Sequence, residues 1–477
     1  MAAETLRHNC GVMGIWNDDN AAELVFHGLY SLQHRGQESA GIVSADDGRF
    51  YRHFGMGTLT QVFSGPDTLK KLKGRSAVGH NRYSTTGSSS QYNIQPLVAE
   101  LRDGPVAIAH NGNLVNTQKI RRQLQEDGAI FHSTTDSEII VHLMARSKHN
   151  MVRDKLLEAI QKVEGAYSIT VLSDHALYAA RDPYGWRPLC IGRKGDAWGV
   201  ASETCAFDLL GYEYIQDVNP GELVVLNGSG MKVIRFAEPK RTFHCIFEHV
   251  YFSRPDSRVA GEYIDKYRRR MGKNLSEEHP VEDADIVISV PDSSNTAALG
   301  YASRSGTRFE MGLIRNHYVG RTFIQPTQTM REMGVRLKFN PVGGVLKDRK
   351  VVVVEDSIVR GTTLKKLATL LRKAGAKELH VRVSSPPIRF PCYYGMDFPS
   401  KSELIANGKS EEEIRQHIGV DSLGYLSVEG LLASVPQSEG VGYCTACFTG
   451  EYPIPLRDDE ESGSKLRYKN ANGDETS

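Results

Sequence analysis

The stretch from 351 to 363 contains four consecutive valines, two acidic residues and a loop of small and hydroxyl side chains. The valines predict a buried strand of a parallel sheet, because β-branched residues without polar alternation suit a strand covered on both faces. Glu355 and Asp356 follow at its carboxyl end, where open α/β sheets bind ligands. Loop N–H groups and the start of the next helix predict a phosphate cradle, with an ordinary strand and polar turn as the alternative. The hydroxyls of this predicted cradle belong to Ser357, Thr362 and Thr363.

Other strands and helices alternate around this stretch. Strands are predicted at 286–290, 351–354 and 379–384, and helices at 295–305 and 362–374, which together indicate a parallel sheet with right-handed crossovers. Upstream, the pattern is of short strands with helices at 116–128, from 135 onward and at 152–163. Thr135 and Glu138 have the spacing of a capping box at the second of these helices.

Length and composition predict at least two domains in these 477 residues. The net charge of +1 does not suggest binding to nucleic acid or membrane. The first nine residues contain no apolar segment of a secretory signal, and no apolar run is long enough to span a bilayer. We therefore expect a cytoplasmic protein. The predicted divisions are a propeptide at 1–9, a first domain at 10–238, a junction at 239–258, a second domain at 259–455 and a disordered tail at 456–477.

The loop after the valines closely resembles the phosphoribosyl-pyrophosphate (PRPP) loop of type I phosphoribosyltransferases. The resemblance implies that PRPP binds to Asp356, Ser357, Val359, Arg360, Gly361, Thr362 and Thr363. It also implies a Mg²⁺ ion near Ser293, Glu355 and Asp356, although Mg²⁺ uses few protein ligands and this family often has an aspartate at the position of Glu355. The basic, glycine-punctuated segment 315–340 corresponds to a mobile flap in that family.

Four blocks follow an early Cys10-Gly11 in the amino-terminal half, at 32–39, 79–87, 110–113 and 135–138. In this order they resemble the glutaminase domain of class II glutamine amidotransferases. That family belongs to the N-terminal-nucleophile (Ntn) hydrolases, which implies an αββα sandwich. The fold expected for the whole chain is this sandwich followed by a type I phosphoribosyltransferase α/β domain with a parallel sheet.

The resemblance implies a role for each matching residue in amide hydrolysis. The nucleophile would be the thiolate of Cys10, and its α-amino group, with an ordinary pKa of about 7.7–8.0, would be the base after residues 1–9 are removed. The other implied residues are Asn111 and Gly112 for the oxyanion, Arg82 for the glutamine carboxylate, Asp136 for its ammonium group and Arg35 in the same pocket. Simpler alternatives are a helix-capping Asp136, a surface ion pair at Arg82 and a hairpin turn at Asn111-Gly112.

Together the two halves resemble the glutamine–PRPP amidotransferases. The resemblance implies that glutamine supplies ammonia, which displaces pyrophosphate from PRPP to give 5-phosphoribosylamine. It also implies purine nucleotide inhibitors and a homotetramer or homodimer. An amidotransferase with another acceptor, or a non-catalytic module that senses PRPP, are the alternatives.

The cysteines divide into two groups. Cys190 and Cys205 are expected to be core thiols. Four others match positions in the iron–sulfur branch of the same family, and the resemblance implies a [4Fe–4S] cluster, with a zinc site or inert thiols as alternatives. These four are Cys245, Cys392, Cys444 and Cys447.

Overall fold

The computed structural model describes residues 10–65, 67–83, 90–238, 241–317, 338–437 and 439–455. The predicted propeptide, the predicted disordered tail and most of the predicted flap (318–337) lie outside the described residues. Within the described ranges, no helix has the length and apolarity needed to cross a membrane.

Two antiparallel sheets form the amino-terminal half. The first sheet contains β1 (Gly11–Trp16), β2 (Ser39–Asp46), β3 (Arg49–Met56), β4 (Ser76–Arg82), β9 (Cys190–Lys194), β10 (Ala197–Ala201) and β11 (Glu213–Asp217). The second contains β5 (Leu97–Leu101), β6 (Gly104–Leu114), β7 (Gly165–Leu172), β8 (Leu177–Arg181), β12 (Glu222–Asn227) and β13 (Gly230–Arg235). Their orders are β11-β9-β10-β1-β4-β2-β3 and β13-β12-β8-β7-β6-β5.

Alternating side chains place these sheets face to face between two helical layers. In β1, Val12 points into the core between the sheets, whereas Met13 packs with the helix Ala21–Ser31. In β6, Ala107 shares the core between the sheets, whereas Ile108 packs against the helices of the opposite layer. This period of two is what a strand covered on both faces requires, and the result is the expected αββα sandwich.

The helices of this half lie on the outer faces of the sheets. Their bounds are Ala21–Ser31, Leu59–Val62, Thr117–Glu126, Ser137–Arg146, Val152–Ile160 and Cys205–Leu210. The three predicted helices are confirmed, but the predicted capping box is wrong. The cap residue Asp136 makes no side-chain cap bond. Instead, Glu138 accepts the backbone N–H groups of His132 and Ser133, each at 2.8 Å, and so fixes the preceding loop.

A parallel sheet forms the core of the second half, as predicted. Its strands are β17 (Ile286–Ser289), β20 (Lys350–Glu355), β21 (Glu378–Val383) and β22 (Ser422–Tyr425), paired in that order. Val352 and Val354 face one hydrophobic core, and Val351 and Val353 face the other. The helices of this half are Ile264–Glu278, Asn295–Ser305, Gly343–Leu346, Thr362–Lys373, Glu411–Ile418, Val428–Ala433 and Ala446–Thr449.

Short strand pairs complete the structure. They are formed by β14 (His244–Cys245) with β23 (Tyr443–Cys444), β15 (Arg258–Val259) with β16 (Glu262–Tyr263), and β18 (Leu313–Arg315) with β19 (Phe339–Pro341). The first pair is parallel and sets Cys245 beside Cys444. The carboxy-terminal segment is therefore attached to the junction between the two halves.

Candidate active sites

Cys10 lies immediately before β1 and has only 8% of its surface exposed. Its thiol donates to the carbonyl oxygen of Tyr83, with 3.7 Å between Sγ and the oxygen. Burial raises the pKa of this thiol to about 11, although the nearby Arg82 acts in the opposite direction. The sulfur is therefore protonated at neutral pH, and its use as a nucleophile requires a base that accepts the proton.

Asn111 and Gly112 lie inside β6 and not in a hairpin turn, so that alternative is wrong. Both polar atoms of the Asn111 side chain are buried and have no hydrogen-bond partner in the structure. Gly112 has φ +152°, and a Cβ there would lie 2.0 Å from the carbonyl oxygen of Ala166. A buried amide without a partner is costly, which points to a ligand that completes its hydrogen bonds.

Arg82 and Asp136 both lie close enough to Cys10 to influence the pKa of its thiol. Arg82 is almost fully buried and donates to Oε1 of Glu38 at 3.1 Å, so it is not an exposed surface charge. Burial acts to raise the pKa of Asp136, but His110 and the N–H of Leu114 outweigh it and keep that pKa below its ordinary value. The site thus holds a charged carboxylate and a guanidinium beside the thiol.

Arg35 lies next to the backbone of Cys10. Its side chain is completely buried, and its guanidinium donates to Glu203 and, at 2.6 Å, to Oε1 of Glu248. Its Nε also donates to the carbonyl oxygen of Cys10 at 3.3 Å. Because its donors are used inside the protein, Arg35 positions the backbone of Cys10 and does not present a free guanidinium to glutamine.

The predicted phosphate loop lies between β20 and the helix Thr362–Lys373. Gly361 precedes this helix with φ +78°, and a Cβ there would lie 2.6 Å from Cδ1 of Ile405. Thr362 is exposed at the helix start. Arg360 donates to Glu403 at 2.8 Å, and the carbonyl oxygen of Val359 accepts the N–H of Ile405 at 2.8 Å. These contacts attach the loop to the segment that contains Glu403 and Ile405.

The two acidic residues at the end of β20 form a closely spaced pair. Ser294 donates to Oε1 of Glu355 at 3.2 Å and to Oδ2 of Asp356 at 3.5 Å, and Ser357 donates to Oδ1 of Asp356 at 2.6 Å. Burial and the neighbouring carboxylate raise the pKa of Glu355. Burial also raises the pKa of Asp356, although a hydrogen bond from Ser293 acts to lower it. A divalent cation would relieve this concentration of negative charge, so the donor set fits Mg²⁺.

The four predicted cluster cysteines also converge. Cys245 and Cys444 are paired in β14 and β23. Burial raises the pKa of Cys444 to about 12, and the thiols of Cys245 and Cys392 raise it further. The pKa of Cys447 is raised by burial and by the thiols of the other three cysteines. All four are free thiols. Among the described residues, no group of three His, Cys, Asp or Glu side chains is arranged to hold one metal ion, and four converging thiols are a donor set used both by zinc sites and by iron–sulfur clusters.

Several residues of these sites were missed in the sequence. Glu38, His110, Glu203 and Glu248 form the contacts described above, and the buried Arg187 and Arg268 donate to Glu248 and to the carbonyl oxygen of His249. His110 begins the block 110–113 and could have been noted as a neighbour of Asp136, whose Oδ1 lies 3.6 Å from its Nδ1. The others have no local spacing that would mark them.

Three comparisons identify similar proteins. A family model described as a glutamine amidotransferase domain matches residues 80–208. The amidophosphoribosyltransferase of Bacillus subtilis (strain 168) is 48% identical over 458 residues, which covers 95% of this chain and 96% of the relative. The amidophosphoribosyltransferase of Methanothermobacter thermautotrophicus is 47% identical over 97% of this chain and 98% of its own length. A solved structure of glutamine PRPP amidotransferase from B. subtilis, complexed with ADP and GMP, matches with a TM-score of 0.89 over 94% of this chain and 98% of that chain, at 48% identity.

Proposed function

This chain belongs to the amidophosphoribosyltransferase family, and from that premise we propose how its residues divide the reaction between two sites. The chain is an enzyme that makes 5-phosphoribosylamine from glutamine and PRPP, the first step of purine biosynthesis. Glutamine yields glutamate and ammonia, and the ammonia displaces pyrophosphate from PRPP. An acceptor other than PRPP, or a sensor without catalysis, is not supported by relatives that match nearly the whole chain.

Glutamine is hydrolysed at Cys10. The thiol donates its proton to the α-amino group of the same residue once residues 1–9 have been removed, and the sulfur attacks the amide carbon. The amine returns that proton to the departing nitrogen as the C–N bond breaks, which releases ammonia and leaves a thioester that water hydrolyses to glutamate. Asn111 and the N–H of Gly112 stabilise the oxyanion of the tetrahedral intermediate. Arg82 binds the substrate carboxylate and Asp136 its ammonium group. The observation that carries this proposal is the buried amide of Asn111, which has no partner in the structure.

PRPP binds at the loop after β20. The helix start and the hydroxyls of Ser357, Thr362 and Thr363 bind phosphate groups, while Asp356 faces the ribose. Mg²⁺ held by Ser293, Glu355 and Asp356 would neutralise the departing pyrophosphate when bound. Behind the loop, Val359 and Arg360 hold it against the segment around Ile405.

The four converging cysteines hold a [4Fe–4S] cluster with a structural role, in which the carboxy-terminal segment is attached to the junction. Because the relative from B. subtilis was solved with ADP and GMP, purine nucleotides are the proposed feedback inhibitors of this chain. We further propose a homotetramer or homodimer that acts in the cytoplasm. The propeptide and domain divisions given above are part of the same proposal.

The decisive experiment replaces Cys10 by alanine in a chain that begins at position 10. Pyrophosphate release from PRPP is measured with glutamine and, separately, with an ammonium salt. Loss of the glutamine reaction with retention of the ammonium reaction would support two sites of distinct chemistry. Equal loss of both in a folded variant, or loss of neither, would refute the assignment of Cys10.

A further inference from the structure

Trp186 lies beside the cysteine site, which we define as Cys245, Cys392, Cys444 and Cys447. Its carbonyl oxygen accepts the backbone N–H of Cys245 at 3.1 Å. Cys245 in turn is paired with Cys444 in the parallel strands β14 and β23. The side chain of Trp186 is only 1% exposed. Its backbone is therefore attached directly to the cysteine site, and its ring is shielded from solvent.

Aromatic packing fixes the indole ring of Trp186. The ring stacks on that of Tyr394, with 4.4 Å between the ring centroids and 19° between the planes. Trp186, Tyr394 and Ala166 form a small buried core, and Cys392 and Cys444 pack against it. Two of the four cysteines thus contact the core that contains the indole.

One polar atom of this core has no partner. The Nε1 of Trp186 is buried and makes no hydrogen bond in the structure. An indole N–H can only donate, and a buried donor without an acceptor is costly. A protonated thiol is a weak acceptor, whereas a thiolate bound to metal carries negative charge and accepts strongly. The acceptor that suits this N–H is therefore a metal-bound sulfur of the cysteine site.

Two observations select Cys444 as that acceptor. Sγ of Cys392 accepts the backbone N–H of Tyr394 at 3.4 Å, so Cys444 is the other sulfur that packs against the core and can receive the indole N–H. Trp186 also acts to lower the pKa of the Cys444 thiol, although burial has the larger effect and raises that pKa to about 12. Packing and electrostatics thus indicate the same sulfur.

We propose that Trp186 is a positioning residue of the cysteine site, whose indole N–H donates to the Cys444 sulfur when that sulfur binds metal. This inference rests on the proposed metal-binding role of the four cysteines. Outer partners of metal ligands typically account for about 10- to 100-fold in metal affinity. Hydrogen bonds to the sulfurs of an iron–sulfur cluster also set its reduction potential. Trp186 should therefore slow the loss of metal and make a cluster easier to reduce.

The experiment compares chains that are purified without oxygen and differ only at position 186. Trp186→Phe keeps an aromatic ring and removes the N–H. A second form carries benzothienylalanine at this position, whose two-ring side chain matches indole in size but has sulfur in place of the N–H. Metal analysis follows the release of metal to excess EDTA, and voltammetry gives the midpoint potential for one-electron reduction of the cluster.

We expect both replacements to speed the release of metal about tenfold or more, because a sulfur without its donor is more basic and is protonated more readily. The equilibrium constant for reduction should fall about tenfold, which places the midpoint about 59 mV lower. The midpoint falls because the reduced cluster carries one more negative charge and so gains more from the hydrogen bond.

The matched control is Trp198→Phe. Trp198 is also a buried tryptophan, but it lies in β10 of the first sheet, opposite Trp16. This variant should keep the unmodified release rate and midpoint. Should Trp186→Phe disturb the fold through its smaller ring, the benzothienylalanine form still isolates the effect of the N–H.

Two results would overturn the proposal. One is an unchanged release rate in folded chains that lack the N–H. The other is faster release in Trp186→Phe with none in the benzothienylalanine form, which would assign the effect to ring packing. Failure of the proposed function is separate. Zinc in place of iron would refute the [4Fe–4S] cluster, while release of that zinc to EDTA would still decide the role of Trp186. A chain without any bound metal would refute both.

Discussion

At the scale of single residues, the amide of Asn111 is the feature most directly tied to catalysis. A buried polar group without a partner costs about 1–3 kcal/mol, and both ends of this side chain are in that state. A protein keeps an unpaired buried polar group, despite this cost in stability, where a ligand needs that group as a partner. The amide N–H is thus available for the charge that develops on the substrate oxygen, and it needs no reorganisation at that moment.

Replacement of Asn111 by alanine should lower the glutamine-dependent kcat by about 100- to 1,000-fold, because one oxyanion donor is lost. The KM for glutamine should change little, since the donor acts mainly in the transition state. Steady-state kinetics with glutamine and with ammonium salt check this. The ammonium reaction is the internal control, and a comparable fall in both reactions would contradict the oxyanion role.

The raised pKa of Cys10 predicts a pH dependence in the chain that retains residues 1–9. Below a pKa of about 11, the thiolate fraction rises about tenfold for each pH unit. Alkylation of Cys10 by iodoacetamide should therefore accelerate about tenfold per unit between pH 7 and 9, as measured by peptide mass spectrometry. A rate that levels off below pH 9 would show that the thiol ionises more easily than its burial implies.

The residues proposed for the glutaminase site could be named from the sequence because they occur in short blocks of characteristic order. The partners of Arg35 were not, since Glu248 lies 213 residues away in the sequence and carries no local signature. A guanidinium in a block that resembles a family motif therefore indicates a role in the site but not which anion it contacts. Only the fold determines whether that anion is a substrate or another side chain.

At the scale of elements, strand β6 contains both proposed oxyanion donors, Asn111 and Gly112, and Leu114, whose N–H donates to Asp136. Gly112 has a positive φ within this strand, and the carbonyl oxygen of Ala166 occupies the space where a side chain would lie. Strand interiors rarely favour glycine. Here the absence of a Cβ allows β6 and β7 to approach each other at Gly112.

Gly112→Ala and Gly104→Ala separate these effects within one strand. Both glycines have positive φ, but a Cβ at Gly104 would meet no atom within 4 Å. Gly104→Ala should cost only the conformational strain of about 1–2 kcal/mol, with glutamine turnover nearly normal. Gly112→Ala should lower the thermal midpoint further and reduce glutamine turnover at least 100-fold. Thermal unfolding and kinetics provide the comparison, and equal behaviour of the two variants would refute the steric argument.

Elements with a clear period were predicted best. The run of valines in β20 and the spacing of the apolar residues in the helix Thr362–Lys373 indicate directly which of their residues are buried. The helix Ala21–Ser31 was missed although the polar residues 17–20 precede it and its cap residue Asn20 is of a type that favours helix starts. In the structure Asn20 makes no side-chain cap bond. The capping box predicted at Thr135 was wrong for a related reason. Glu138 could accept N–H groups either from the start of its own helix or from the preceding loop, and tertiary packing favours the loop.

At the scale of the whole molecule, buried contacts among the described residues join the two halves. The junction contributes Cys245 and Glu248, the second half contributes Tyr394, and the carboxy-terminal segment contributes Cys444. The resemblance to the iron–sulfur branch implied that Cys245 and Cys444 lie together, whereas nothing in the sequence marks the contacts of Glu248 and Tyr394, because such distant pairings leave no local pattern.

The cysteine site offers a prediction about the assembled molecule. Protein purified without oxygen should contain about four iron and four sulfide per chain. Cys444→Ser should lower both by more than half, because one of four ligands is lost, whereas the core-thiol control Cys190→Ser should keep them. Metal analysis and sulfide assay provide the measurement. One zinc per chain, or no metal in the unmodified protein, would contradict the cluster.

The pairing of β14 with β23 has a consequence for how the enzyme is made. About 200 residues separate Cys245 from Cys444, so at about 5–20 residues per second a ribosome needs roughly 10–40 seconds to deliver the second strand after the first. During that interval the amide-cleaving half is already synthesised but lacks its final neighbour. The parallel pair that attaches the carboxy-terminal segment to the junction therefore forms only late in translation, after both sheets of the first half have been synthesised.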